Sequence, residues 1–155
     1  MRNDIYGREN EYNRELRRLE RSPITFANNE NMQRFHQHAF SENISKLRVA
    51  KLSYQLRKIG EWLDKDFELA EEDDIRAVIA KINSTSLAEY TKIDYQKLVK
   101  RFYRWLQGNN EDYPRKVRWI KPRIKENMKK KIDLITIDEL KKVILVFNVI
   151  SSEET

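Results

Sequence analysis

At 155 residues the chain has room for one ordinary domain with extensions and none for a second full domain. Apolar (39%) and charged (36%) residues are nearly balanced, which excludes wholesale disorder, and three Gly and three Pro suit long helices better than a turn-rich sheet fold. A net charge of +6 favours polyanionic partners, the lack of cysteine excludes disulfides and thiolate metal sites, and no signal-peptide core or membrane-length apolar run is present, so a cytoplasmic protein away from the membrane is expected.

Residues 1–27 read as a polar N-terminal arm. Ile5, Tyr12, Leu16 and Leu19 are too sparse for a broad buried stripe, so a loosely attached helix is expected, interrupted at Ser22-Pro23. Asn28 to Asn31 then offer side-chain oxygens to cap a first core helix carrying Met32, Phe35 and Phe40. The next helix, from about Ser45 to Leu63, is the most legible: Val49, Leu52, Leu56, Ile59 and Leu63 recur at spacings of three and four, with Ser45 as N-cap. Lys46, Arg48, Lys51, Tyr54 and Gln55 fall away from that stripe and give the helix a basic, hydrogen-bonding outer face.

A third helix over 71–83 opens on Glu71, Glu72, Asp73 and Asp74, which suit the positive end of its dipole, and carries Ile75, Val78, Ile79 and Ile82. A fourth, from about Ser86 to Gln107, bears Tyr95, Leu98, Val99, Phe102, Trp105 and Leu106 and ends at Gly108. Its remaining surface displays Thr91, Lys92, Lys97, Lys100, Arg101 and Arg104. Residues 28–108 are thus expected to form the helical core domain.

Beyond Gly108 the pattern changes. Residues 112–131 hold nine Lys or Arg against Asp112 and Glu126, and Pro114 and Pro122 break any single helix. Residues 109–135 therefore read as an extended basic connector, tacked onto the body by Val117, Trp119 and Ile120. Within 136–155, Thr136-Ile137-Asp138-Glu139 has the form of a capping box opening a short helix with Leu140, Val143 and Ile144.

Few residues point to catalysis or metal binding. His36 and His38 stand two apart on a helix and cannot face one ion, and the acidic run at 71–74 is explained by helix-start electrostatics. Trp62, Phe102, Tyr103 and Trp105 sit beside aliphatic residues at helical spacing, which suits core packing better than a base-stacking platform. No cofactor, metal or small-molecule substrate is expected.

Three stretches, in order, resemble the tyrosine recombinase and phage-type integrase family of the archaeal type. ISKLRVAKLSYQLRKIGEWL (44–63) and TKIDYQKLVKRFYRWL (91–106) are similar to the two helices with which the family's core-binding domain enters the major groove. VRWIKPRIKEN (117–127) followed by LITIDELKKVI (134–144) is similar to the family's linker and the opening helix of its catalytic domain. The resemblance covers roughly residues 28–144 and implies an all-α fold, a small antiparallel bundle of four to five helices of the SAM-like kind.

It also implies a function: binding double-stranded DNA in site-specific recombination, beside other recombinase protomers on the same DNA. The residues implicated are Lys46, Arg48, Lys51, Tyr54 and Gln55 on one helix, Thr91, Lys92, Lys97, Lys100, Arg101 and Arg104 on the other, and Lys116, Arg118, Lys121, Lys129, Lys130 and Lys131 in the connector. The family's catalytic Arg, Lys, His and Tyr lie downstream of the opening helix and have no counterparts here, so no catalysis is expected of this chain alone, and residues 136–155 read as the start of a truncated or absent catalytic domain. Two other readings remain open: the N-terminal segment of a complete integrase, and a helical adaptor whose basic face binds an acidic protein.

Overall fold

The computed structural model describes residues 8–123, 139–142 and 144–145. Among them the structure is all-helical, with no strand: α1 (Arg8–Arg21), α2 (Phe26–Ser41), α3 (Lys46–Leu63), a 3-10 turn (Phe67–Leu69), α4 (Glu72–Ser84), α5 (Glu89–Gln107) and the short α6 (Arg115–Arg118). The chain divides into two compact units after Pro122. In the second, residues 139–142 and 144–145 are helical, with Leu140, Ile144 and Leu145 exposed. The expected capping residues 136–138, and Val143, lie outside the described residues.

The first unit is a helical bundle around α3, which packs against α1, α2, α4 and α5. Ser45 caps α3 by accepting from Arg48 N, and Val49, Leu56, Ile59 and Leu63 are buried as the stripe predicts, with Leu52 half-buried. A helix enclosed on several sides buries more than one stripe, which is why Ser53, Gln55 and Arg57 are also buried. Gln55 is therefore largely enclosed rather than freely exposed on the outer face expected for it.

The N-terminal arm also departs from expectation, because α1 is docked rather than loose. Leu19 is 1% and Glu15 2% exposed. Glu15 Oε1 accepts from Arg57 Nε at 2.8 Å, and Arg57 Nη1 reaches Glu61 Oε1 at 3.3 Å. Burial opposes the Arg57 charge, but its hydrogen bonds and the two carboxylates outweigh it and hold the guanidinium pKa above its ordinary value. Tyr12 packs edge-on against His36 and Phe40, at ring separations of 5.9 and 5.3 Å. A sparse apolar stripe is thus supplemented by a buried ion pair and an aromatic contact.

Ser22-Pro23 separates α1 from α2 as expected, but the cap of α2 is Thr25, whose Oγ1 accepts from Asn28 N at 3.1 Å. Asn28 is buried and acts at a distance in sequence. Its Nδ2 donates to Lys65 O and its Oδ1 accepts from Phe67 N, at 2.8 and 2.7 Å, fixing the turn after α3. That turn seats Phe67 against Phe102, ring centroids 4.8 Å apart, while Phe35 meets Phe102 at 5.4 Å. Tyr103 donates its hydroxyl to Phe67 O at 2.8 Å, and burial raises its pKa well above the ordinary range. Phe35, Phe67, Phe102 and Tyr103 are core, with Trp62 and Trp105 packed at its margin.

A capping box joins Glu71 and Asp74 at the start of α4, whose four isoleucine and valine positions are all buried. Helix α5 begins at Glu89 rather than near Ser86. Ser84 Oγ and Thr85 Oγ1 donate back to Lys81 O and Ile82 O and close α4, so the chain needs a few more residues to turn. Gly108 ends α5: a Cβ there would collide with Asp112 O and lie 2.7 Å from Arg104 O. The first part of the basic connector belongs to the body, since Val117 and Ile120 are buried, Trp119 Nε1 donates to Lys116 O at 2.8 Å, and the Arg76 guanidinium lies 4.0 Å from the Trp119 ring centroid.

Candidate nucleic-acid interface

Two helices share a residue register. On α3, Arg48, Lys51, Leu52 and Gln55 stand at i, i+3, i+4 and i+7; on α5, Asp94, Lys97, Leu98 and Arg101 do the same. Such a spacing places each set along one side of its helix. The fold brings the two sides face to face, and these eight residues line one open groove of about 490 Å³. Leu52 and Leu98 supply its apolar surface, and four cations stand against the single carboxylate of Asp94.

The cations are differently engaged. Lys51 Nζ lies 3.3 Å from Asp94 Oδ2, and Arg101 Nη2 lies 3.5 Å from Glu42 Oε2, in pairs whose partners are solvent-accessible. Exposed pairs of this kind contribute only about 0–1 kcal/mol, so a phosphate can replace the carboxylate at little cost. Arg48 and Lys97 are exposed and form no ion pair with the described residues. Five residues expected to contact nucleic acid therefore converge on the groove, namely Arg48, Lys51, Gln55, Lys97 and Arg101.

The others lie elsewhere. Tyr54 is exposed on the opposite flank of α3, in a furrow shared with Glu11, Glu15 and Arg18 of α1, with the Arg57 guanidinium 5.2 Å from its ring centroid. Lys46 is exposed at the start of α3 and Thr91 half-buried on α5, neither in the groove lining. Lys92 donates to Asn83 O at 3.1 Å and so ties α5 to the end of α4. Lys100 and Arg104 lie over the Tyr113 ring, 4.4 and 5.1 Å from its centroid, and Arg118 donates to Tyr113 O through Nε and Nη2.

Lys116 turns inward to donate to Ala70 O at 2.8 Å. Burial pushes its pKa below the ordinary value against the raising influence of Glu71, Asp74 and Glu68. It is a clamp between α6 and the turn before α4, not a surface cation. Lys121 is exposed, and Lys129, Lys130 and Lys131 lie outside the described residues.

Sequence reasoning missed the groove's other lining, Leu52, Asp94 and Leu98. The repeated spacing on the two helices is the signal that carried them. Among the described residues no cluster of three or more His, Asp or Glu could hold a metal ion, and no helix is long and apolar enough to cross a membrane. Comparison with protein-family models, with curated proteins and with solved structures finds no match.

Proposed function

We propose that this chain is a duplex DNA-binding module that grips DNA through the α3–α5 groove, in the manner of the core-binding half of a tyrosine recombinase, as a cytoplasmic protein without catalysis of its own. The observation that carries the proposal is the meeting of Arg48 and Lys51 with Lys97 and Arg101 across one groove, four cations on two rigid helices against one carboxylate. Cations held this way bind phosphates by releasing condensed counterions, and the held positions fix the register of the duplex. The ordered resemblance of residues 44–63, 91–106, 117–127 and 134–144 to the recombinase family favours duplex DNA over an acidic protein, and the burial of Phe102 and Tyr103, with Trp62 and Trp105 packed at the core margin, commits those four rings to the core rather than to base stacking.

A labelled duplex of about 25 base pairs, titrated at several salt concentrations, tests this. If roughly five phosphates are neutralised, log affinity falls against log salt with a slope of about −4 to −5, largely whatever the sequence. A folded protein that does not bind at low salt overturns the proposal and leaves an acidic protein as the partner.

A further inference from the structure

Resting on the DNA-binding proposal above, we infer that Gln55 is the residue through which the groove distinguishes one base pair from another, its carboxamide reading an adenine edge. Gln55 is 4% exposed and lines the groove, yet its side chain hydrogen-bonds to no described residue. The other buried side-chain amides among the described residues, Asn28 and Asn31, are engaged, as are several exposed ones. Asn28 uses both amide atoms, Asn31 donates to Glu68, Gln33 to Asn29, Gln96 to Asn83 and Gln107 to Glu68 O. The Gln55 amide atoms are not among the fully enclosed polar atoms that lack a partner, so what little exposure the residue has includes its carboxamide, open to a partner that enters the groove.

The surroundings define that partner. Arg48, Lys51, Lys97 and Arg101 attract phosphates along the groove, whereas Gln55, which lines the same groove, carries no charge to hold one. An uncharged amide suits a neutral base edge better than a phosphate. A carboxamide presents one donor and one acceptor side by side, which matches adenine N7 and N6–H in the major groove; guanine offers two acceptors there and suits an arginine instead. The groove thus divides the work, with its cations holding the backbone and its amide discriminating.

Selection from a duplex library of about 25 base pairs with a randomised centre tests the assignment, using the parent protein, Gln55→Met, Gln55→Leu and Gln55→Glu. One position in the parent's selected pool should be adenine, preferred about 10- to 100-fold over the other bases. Gln55→Met and Gln55→Leu should lose that preference and bind adenine-bearing and other duplexes alike. Gln55→Glu should move the preference toward cytosine, whose amino group a carboxylate accepts, a gain that a misfolded variant cannot mimic. The assignment is overturned if the parent selects no adenine, or if the variants retain the parent's preference. Failure of the parent to bind any duplex overturns the DNA-binding proposal itself, a separate outcome.

Discussion

Acidification should destabilise the fold through one residue. His36 is 1% exposed, and neither ring nitrogen has a hydrogen-bond partner; the Tyr12 ring meets it edge-on. Burial lowers its pKa from 6.5 to about 4, so the folded protein holds it neutral. Because the folded value is depressed, the associated stability is complete above the unfolded value and is lost as pH falls from about 6.5 toward 4. At about 1.4 kcal/mol per pH unit the total is about 3 kcal/mol, of which about 2 is gone by pH 5. Urea titrations of the parent, His36→Phe and His36→Leu at about pH 7.5 and pH 5 isolate this, since both variants retain His38 and every carboxylate. The parent should lose about 2 kcal/mol more than either variant over that interval. Equal losses in all three would refute the assignment of His36 as a buried neutral group.

Glu15→Ala should cost about 3 kcal/mol, because it strips Arg57 of its closest partner and leaves only Glu61; a Glu15→Ala/Arg57→Ala cycle showing no coupling would contradict the ion pair's role. Leu56→Ala and Phe102→Ala should each cost about 2–5 kcal/mol in denaturant titration, and a loss below about 0.5 would misplace that helix face. Gly108→Ala should destabilise by about 1–3 kcal/mol, since the new methyl meets backbone oxygens of Asp112 and Arg104 that cannot swing aside.

Helices α3 and α4 were legible in the sequence because their determinants are local. Val49 to Leu63 and Ile75 to Ile82 mark their stripes at spacings of three and four, and Ser45, Glu71 and Asp74 lie within a turn of the groups they cap. The docking of α1 was not legible, since Glu15 finds Arg57 across 42 positions, and a polar residue gives no sign that a distant partner will bury it. Asn28 misleads for the same reason: it looks like a cap and serves a turn 39 residues away. Local spacing could name each half of the α3–α5 groove, but only the fold could show that the halves face each other. Likewise the charge of Lys92, Lys100, Arg104, Lys116 and Arg118 was visible, while the carbonyls and rings that occupy them were not.

The central claim is that the groove, and not positive charge in general, binds duplex DNA. Removing two groove cations by Arg48→Ala with Lys97→Ala, and separately two exposed cations outside it by Arg17→Ala with Lys81→Ala, holds the net charge of the two proteins equal. With a duplex of about 25 base pairs, the groove variant should bind at least about 10-fold more weakly than the parent at moderate salt, with a log–log salt slope flatter by about two. The outer variant should stay near the parent in both. Equal weakening in the two variants would contradict the account and reduce the groove to one patch of an undifferentiated basic surface.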